Sequence, residues 1–161
     1  MSDPLHAKPS AVYAKEVLPR PMRPNPPAPF AKSAPGKVKR ALGDQFGLRN
    51  FGVNHVTLAP GARSSLHHQH SGQDEFIYVL AGTLMLVTDT GETRLEVGMC
   101  AGFAAGQGAH HLENRSDRDV IYLEVGDRTP NDHVTYPHDD IVAISGSDGQ
   151  YRYTHKDGRP Y

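Results

Sequence analysis

A chain of 161 residues can bury one full hydrophobic core but hardly two. Its 17 basic and 18 acidic residues give a formal charge of −1, without the positive excess that binding a phosphate backbone needs. Cys100 is the only cysteine, so an internal disulfide is impossible, and no apolar run approaches the roughly 20 residues that span a bilayer.

The first residues carry no apolar stretch of signal-peptide length, so a soluble cytoplasmic protein is expected, with neither nucleic acid nor membrane among its partners. Nine of the 13 prolines fall at or before Pro35, most densely between Pro24 and Pro29. Proline fixes its own φ and removes a backbone donor, so neither a regular helix nor a central strand forms there. Residues 1–40 therefore read as an extended, Pro-rich N-terminal arm. The plain reading is a disordered tail; Tyr13, Val17, Leu18, Met22 and Phe30 are apolar anchors that such a tail does not need, which favours an arm lying across the barrel or across a partner subunit. The basic cluster Lys37-Val38-Lys39-Arg40 reads as solvated.

Residues 41–161 form the remaining domain, with a motif-bearing core at 50–125. From about Asn50 the pattern becomes short β-type segments separated by Gly, Asp, Asn and Pro. Strands are predicted near Val53–Leu58, Glu75–Ala81, Thr83–Thr88, Glu92–Glu96, Cys100–Phe103, His110–Glu113 and Val120–Val125. Weaker segments are His133–Tyr136, Ile141–Ser145 and Tyr151–Thr154, the last followed by a turn that suggests a final strand or hairpin packing on the barrel. Cys100 reads as a small buried hydrophobe. Such a series indicates an all-β, antiparallel sandwich or barrel, and strand pattern alone does not choose between the two.

Two blocks carry the chemistry. The first runs from Gly61 through His68, His70 and Glu75 to Gly82; the second runs from Gly98 through Gly106 and His110 to Asn114. Side chains alternate along a strand, so His68 and His70 project to one side while His67 and Gln69 take the other. Glu75, Ile77 and Val79 likewise share a face, opposite Asp74, Phe76, Tyr78 and Leu80. A carboxylate at the mouth of an apolar face is costly to bury alone, and a cation removes that cost. Asp74 is the rival to Glu75, but strand parity selects Glu75.

These blocks resemble the two motifs of the cupin superfamily. The first motif is a glycine, a His-x-His pair, a glutamate, then six residues and a glycine; Phe76–Ala81 are the six before Gly82. The second keeps His110 four residues before Asn114, but Ala104 stands where proline is usual and the spacing from Gly106 to His110 is one longer. Those departures bear on the loop's shape more than on the ligand's identity. The resemblance implies a single-domain double-stranded β-helix, or jelly-roll, barrel with His68, His70, Glu75 and His110 as ligands to one divalent transition metal. Zn, Mn, Fe, Ni and Co all suit such a set.

Neighbouring residues have plainer readings. His67 and His111 are expected on the outer face, and His55 as a satisfied core or surface histidine. Phe76, Tyr78 and Phe103 read as core before pocket lining, and Arg63, Arg94, Arg115 and Arg128 as surface charges that could hold an anion. A catalytic acid or base is not identified. The function expected is a metal-dependent enzyme of a small-molecule substrate, with a sugar-phosphate isomerase as first candidate, since compact bacterial cupins of this kind carry that label. An Fe- or Mn-dependent dioxygenase of a small organic acid or phenol is the second reading. A non-enzymatic module binding a small ligand or a metal is the third. Open sheet edges and an extended arm together suggest a homodimer.

Overall fold

The computed structural model describes residues 8–20, 27–28, 30, 34–146 and 150–161. Met22 and most of the Pro24–Pro29 patch lie outside the described residues. The described chain is almost entirely antiparallel β structure, arranged as a jelly-roll barrel. A five-stranded sheet has the order β1 (Lys37–Ala41), β2 (Phe51–Leu58), β9 (Val120–Asp127), β4 (Glu75–Ala81) and β7 (Cys100–Phe103). A three-stranded sheet orders β6 (Gly91–Leu95), β5 (Leu84–Thr88) and β8 (His110–Glu113). A four-stranded sheet orders β12 (Tyr151–Thr154), β11 (Val142–Ser145), β10 (His133–Thr135) and the two-residue β3 (Gln69–His70).

Alternation builds the core. On β4, Ile77 and Val79 are buried while Phe76, Tyr78 and Leu80 face outward. Val120 and Tyr122 of the neighbouring β9 share their face, and Leu84 and Leu86 of β5 and Leu112 of β8 meet them from the other sheet. Each such burial contributes about 1.5–3 kcal/mol. The turn at Gly82 has φ +80°, and a Cβ there would lie 2.9 Å from Val120 Cγ2, so both conformation and space select glycine. Asn114 is buried; its amide donates to the carbonyls of Leu58 and Arg118, and its oxygen accepts from the Ser116 N–H. This motif asparagine therefore ties β8 to β2 and to the turn entering β9.

Several expectations are corrected. The basic cluster at Lys37–Arg40 is not a solvated tail but part of β1, paired residue for residue with β2. A one-turn helix, α1 (Leu42–Phe46), follows it and ends at Gly47, φ +72°. Neither element has a sequence signal strong enough to compete with the nearby prolines. Cys100 is exposed, because Ala101 and Phe103 are the inward residues of β7. Phe76 and Tyr78 are also partly exposed rather than core. On the arm, Val17 is buried and the Arg20 N–H donates to the Lys39 carbonyl, whereas Tyr13 and Leu18 face solvent. Phe30 meets Tyr161 edge to face. The carboxy-terminal residues form β12, antiparallel to β11, and Thr154 then bridges to Pro160.

Candidate metal centre

The His-x-His segment straddles two sheets. His68 forms an antiparallel bridge with His110, at the start of β8, while His70 pairs with Val134 on β10. The backbone therefore passes from one sheet to another between the two imidazoles, and both remain on the inner side. The Gly106 N–H donates to the His70 carbonyl and draws the β7–β8 loop against the same segment. Glu75 opens β4 in the five-stranded sheet.

One atom organises the site. Glu75 Oε2 lies 3.2 Å from His110 Nε2, 3.5 Å from His68 Nε2 and 3.6 Å from His70 Nε2. Donor atoms of His68, His70 and Glu75 all fall within 4.8 Å of one another, a grouping that could hold a metal ion. Asp74 is turned away and accepts the Ala105 N–H at 2.8 Å, which steadies the loop after β7.

The far nitrogens explain the orientation. His68 Nδ1 faces the Leu66 carbonyl at 2.9 Å and Ser65 Oγ at 3.1 Å. His70 Nδ1 lies 2.6 Å from Asp132 Oδ2. A carbonyl or carboxylate oxygen takes a proton from the nitrogen it faces, so in both neutral rings the Nε2 lone pair points at Glu75. Two lone pairs converging on a carboxylate oxygen at 3.5–3.6 Å repel unless a cation lies among them. Those separations match the ligand–ligand edges of a polyhedron with metal–ligand bonds of about 2.0–2.2 Å. The donor set fits a borderline divalent transition metal.

Burial pushes the Glu75 carboxyl upward, but when the surrounding imidazoles carry protons, His110 and His68 foremost and then His70, they outweigh it and hold the group well below its usual range. Burial pulls His70 down, yet its bond to Asp132 and the charge of Glu75 raise it overall. His110 is lowered, chiefly by burial, and its Nδ1 has no partner among the described residues. Phe103 stacks on the His110 ring with centroids 3.4 Å apart and planes 3° from parallel. Tyr136 covers His68 at 6.1 Å. Gln69, Gln73 and Gln107 line a pocket beside Glu75, His70 and His110.

Asp132 and Tyr136 are the residues that sequence reasoning missed. Asp132 lies 62 positions from His70 and carries no motif; it is fixed by accepting the Gly72 N–H and by its own N–H donating to Ser145 Oγ. The expected outer-face histidines are also corrected. His67 and His111 are buried, with their Nδ1 atoms 3.0 Å apart. His67 Nε2 bonds Asp89 at 2.9 Å, and His111 Nε2 bonds Glu113 at 3.0 Å. They do point away from the Glu75 cluster, but the His138 ring stacks on His67 and helps to cover that side. His55 leaves a buried Nδ1 without a partner among the described residues. Arg115 is held by Glu92 and Glu113, Arg128 by Asp44, and Arg94 by Glu96.

Comparison with known proteins agrees with this architecture. Residues 54–126 match the cupin domain family. A crystal structure from Silicibacter pomeroyi, described as a sugar phosphate isomerase from a cupin superfamily, is 38% identical with a TM-score of 0.85, covering 94% of this chain and 96% of that one. A structure from Acidithiobacillus ferrooxidans is 26% identical with a TM-score of 0.71, covering 78% and 80% of the two chains. The tetracenomycin polyketide synthase protein TcmJ of Streptomyces glaucescens is 34% identical over 65 residues, 40% of this chain. That match spans only 42% of the relative's own length. The chain belongs to the cupin superfamily.

Proposed function

We propose that this cupin is a metal-dependent enzyme of a small oxygenated substrate, with aldose–ketose isomerisation of a sugar phosphate as the first reaction to test. The observation that carries the reading is the convergence of His68, His70 and His110 on one oxygen of Glu75. The 38% identity, over nearly the full length, to a protein described as a sugar phosphate isomerase supports the choice of reaction. In this reading His68, His70, Glu75 and His110 hold one divalent cation, Zn, Mn, Fe or Ni. When bound, such a cation supplies Lewis-acid polarisation of a carbonyl and its neighbouring hydroxyl.

The chain's own residues do the rest. Asp132 holds His70 in the tautomer that presents Nε2 inward. Phe103 and Tyr136 wall the His110 and His68 rings and keep water from their faces. Gln73 donates its amide N–H to the Thr129 carbonyl, which leaves its oxygen, with the amides of Gln69 and Gln107, to meet substrate hydroxyls.

Metal analysis of the purified protein, followed by assay on a sugar-phosphate panel, tests the proposal. Turnover that disappears on chelation and returns with metal supports it. Iron together with oxygen uptake on an organic acid or phenol moves the assignment to oxidation. A metal-loaded chain inert on both panels makes it a binding module. Full metal content in each of H68A, H70A and H110A would show that the cation lies elsewhere.

A further inference from the structure

We infer that Lys37, on the inner face of β1, anchors an anionic oxygen ligand, a phosphate ester or a carboxylate, inside the barrel beside the proposed cation. The inference rests on the metal reading above and names the ligand class for the same site. Lys37, Lys39 and Ala41 pair with Leu58, Val56 and Asn54, whose own side chains turn into the barrel, so the two lysines share the inner face. Burying ammonium groups is costly unless each is paired. Here both meet a single carboxylate, Glu124 of β9: Lys37 Nζ lies 3.3 Å from Oε2, and Lys39 bonds Oε1. Asn54 adds its amide at 3.4 Å.

Donors outnumber acceptors in this interior. The Lys37 ammonium has three N–H groups; the Ser64 carbonyl takes one at 3.0 Å and Glu124 another, leaving the third without an acceptor among the described residues. Tyr122, two residues before Glu124 on the same face of β9, is fully buried, and its hydroxyl has no partner among the described residues either. Burial, then the charges of Glu124 and Glu75, hold that hydroxyl protonated, so it too is a donor. The two clusters adjoin: Ser64 receives Lys37, and the next residue, Ser65, bonds His68.

Charge points the same way. A divalent cation with Lys37 and Lys39 carries four positive charges, against three carboxylates at Glu75, Glu124 and Asp132. One positive charge remains, and an anion rich in acceptor oxygens satisfies both the charge and the unmatched donors. A neutral sugar satisfies neither.

The test is calorimetric titration of the full chain, loaded with Co(II) to measured content, with inorganic phosphate, acetate and glucose. At least one anion should bind and glucose should give no binding heat. K37M should weaken the anion by about ten-fold or more, the loss of a charged hydrogen bond, at unchanged metal content. K37M leaves Glu124 bonded to Lys39 and Asn54, and K37Q, which keeps a neutral polar head in place of the ammonium, should show the same loss while melting close to wild type. Phosphate bound more tightly than acetate assigns a phosphate ester, and the reverse order a carboxylate. Metal uptake with no anion binding, anion binding by both K37M and K37Q within about two-fold of wild type, or glucose bound as tightly as phosphate overturns the inference. Failure to take up any cation instead overturns the metal reading beneath it.

Discussion

At the scale of single residues, the geometry of the candidate site depends on groups that orient its histidines as much as on the histidines themselves. Asp132 bonds the far nitrogen of His70 at 2.6 Å, and such partners set both tautomer and ring direction. D132N should therefore lower metal affinity by about 10–100-fold, read by competition against a chromogenic chelator, with little change in secondary structure. A fall of less than about two-fold would remove Asp132 from the site. Proton competition gives a second expectation. His70 is raised above its ordinary value of 6.5, so a metal must displace its proton, and uptake should weaken as pH falls through the neutral range. Metal titrations at pH 8 and pH 6 read this directly. Glu124 has the opposite sign: burial raises it, but Lys37 and Lys39 outweigh that and bring it to about 2. Its stabilisation is present above the unfolded value of 4.5 and is lost as pH falls from there towards 2. Urea unfolding should follow that window in the wild type and flatten in E124Q. At neutral pH, E124Q should also be less stable by about 1–3 kcal/mol, because the partly buried Lys37 and Lys39 lose their carboxylate.

At the scale of elements, what could be read depended on whether the signal was local. The strands at Glu75–Ala81, Cys100–Phe103, His110–Glu113 and Tyr151–Thr154 begin and end where alternation and turn residues place them. β1 could not be read that way, since Lys37-Val38-Lys39-Arg40 resembles a solvated run until β2 lies beside it. β3 is two residues long and exists only because β10 pairs with it. The turn joining β4 to β5 gives a direct test. G82A forces a side chain into positive φ and against Val120, and should cost about 1–3 kcal/mol by chemical denaturation. A variant as stable as wild type would mean that the turn relaxes freely.

At the scale of the whole molecule, the outer face of the five-stranded sheet is unusually apolar. Phe76, Tyr78 and Leu80 stand about 40% exposed in a row along β4, next to the central β9. A second copy covering this face is expected, and light scattering should give a dimer mass, with Y78K/L80E shifted to monomer. A monomeric wild type, unchanged on deleting the residues before Pro35, would rule it out. By itself, the sequence determined the antiparallel all-β character and set His68, His70 and Glu75 on the side opposite His67, Gln69 and Asp74, because two-residue alternation is written locally. It could not determine what covers each face. Only the tertiary structure buried His67 and His111 and set Asp132 behind His70. It alone turned two lysines of the supposed tail into the barrel against Glu124. Those outcomes depend on partners dozens of residues away, whose distance in space no periodicity records.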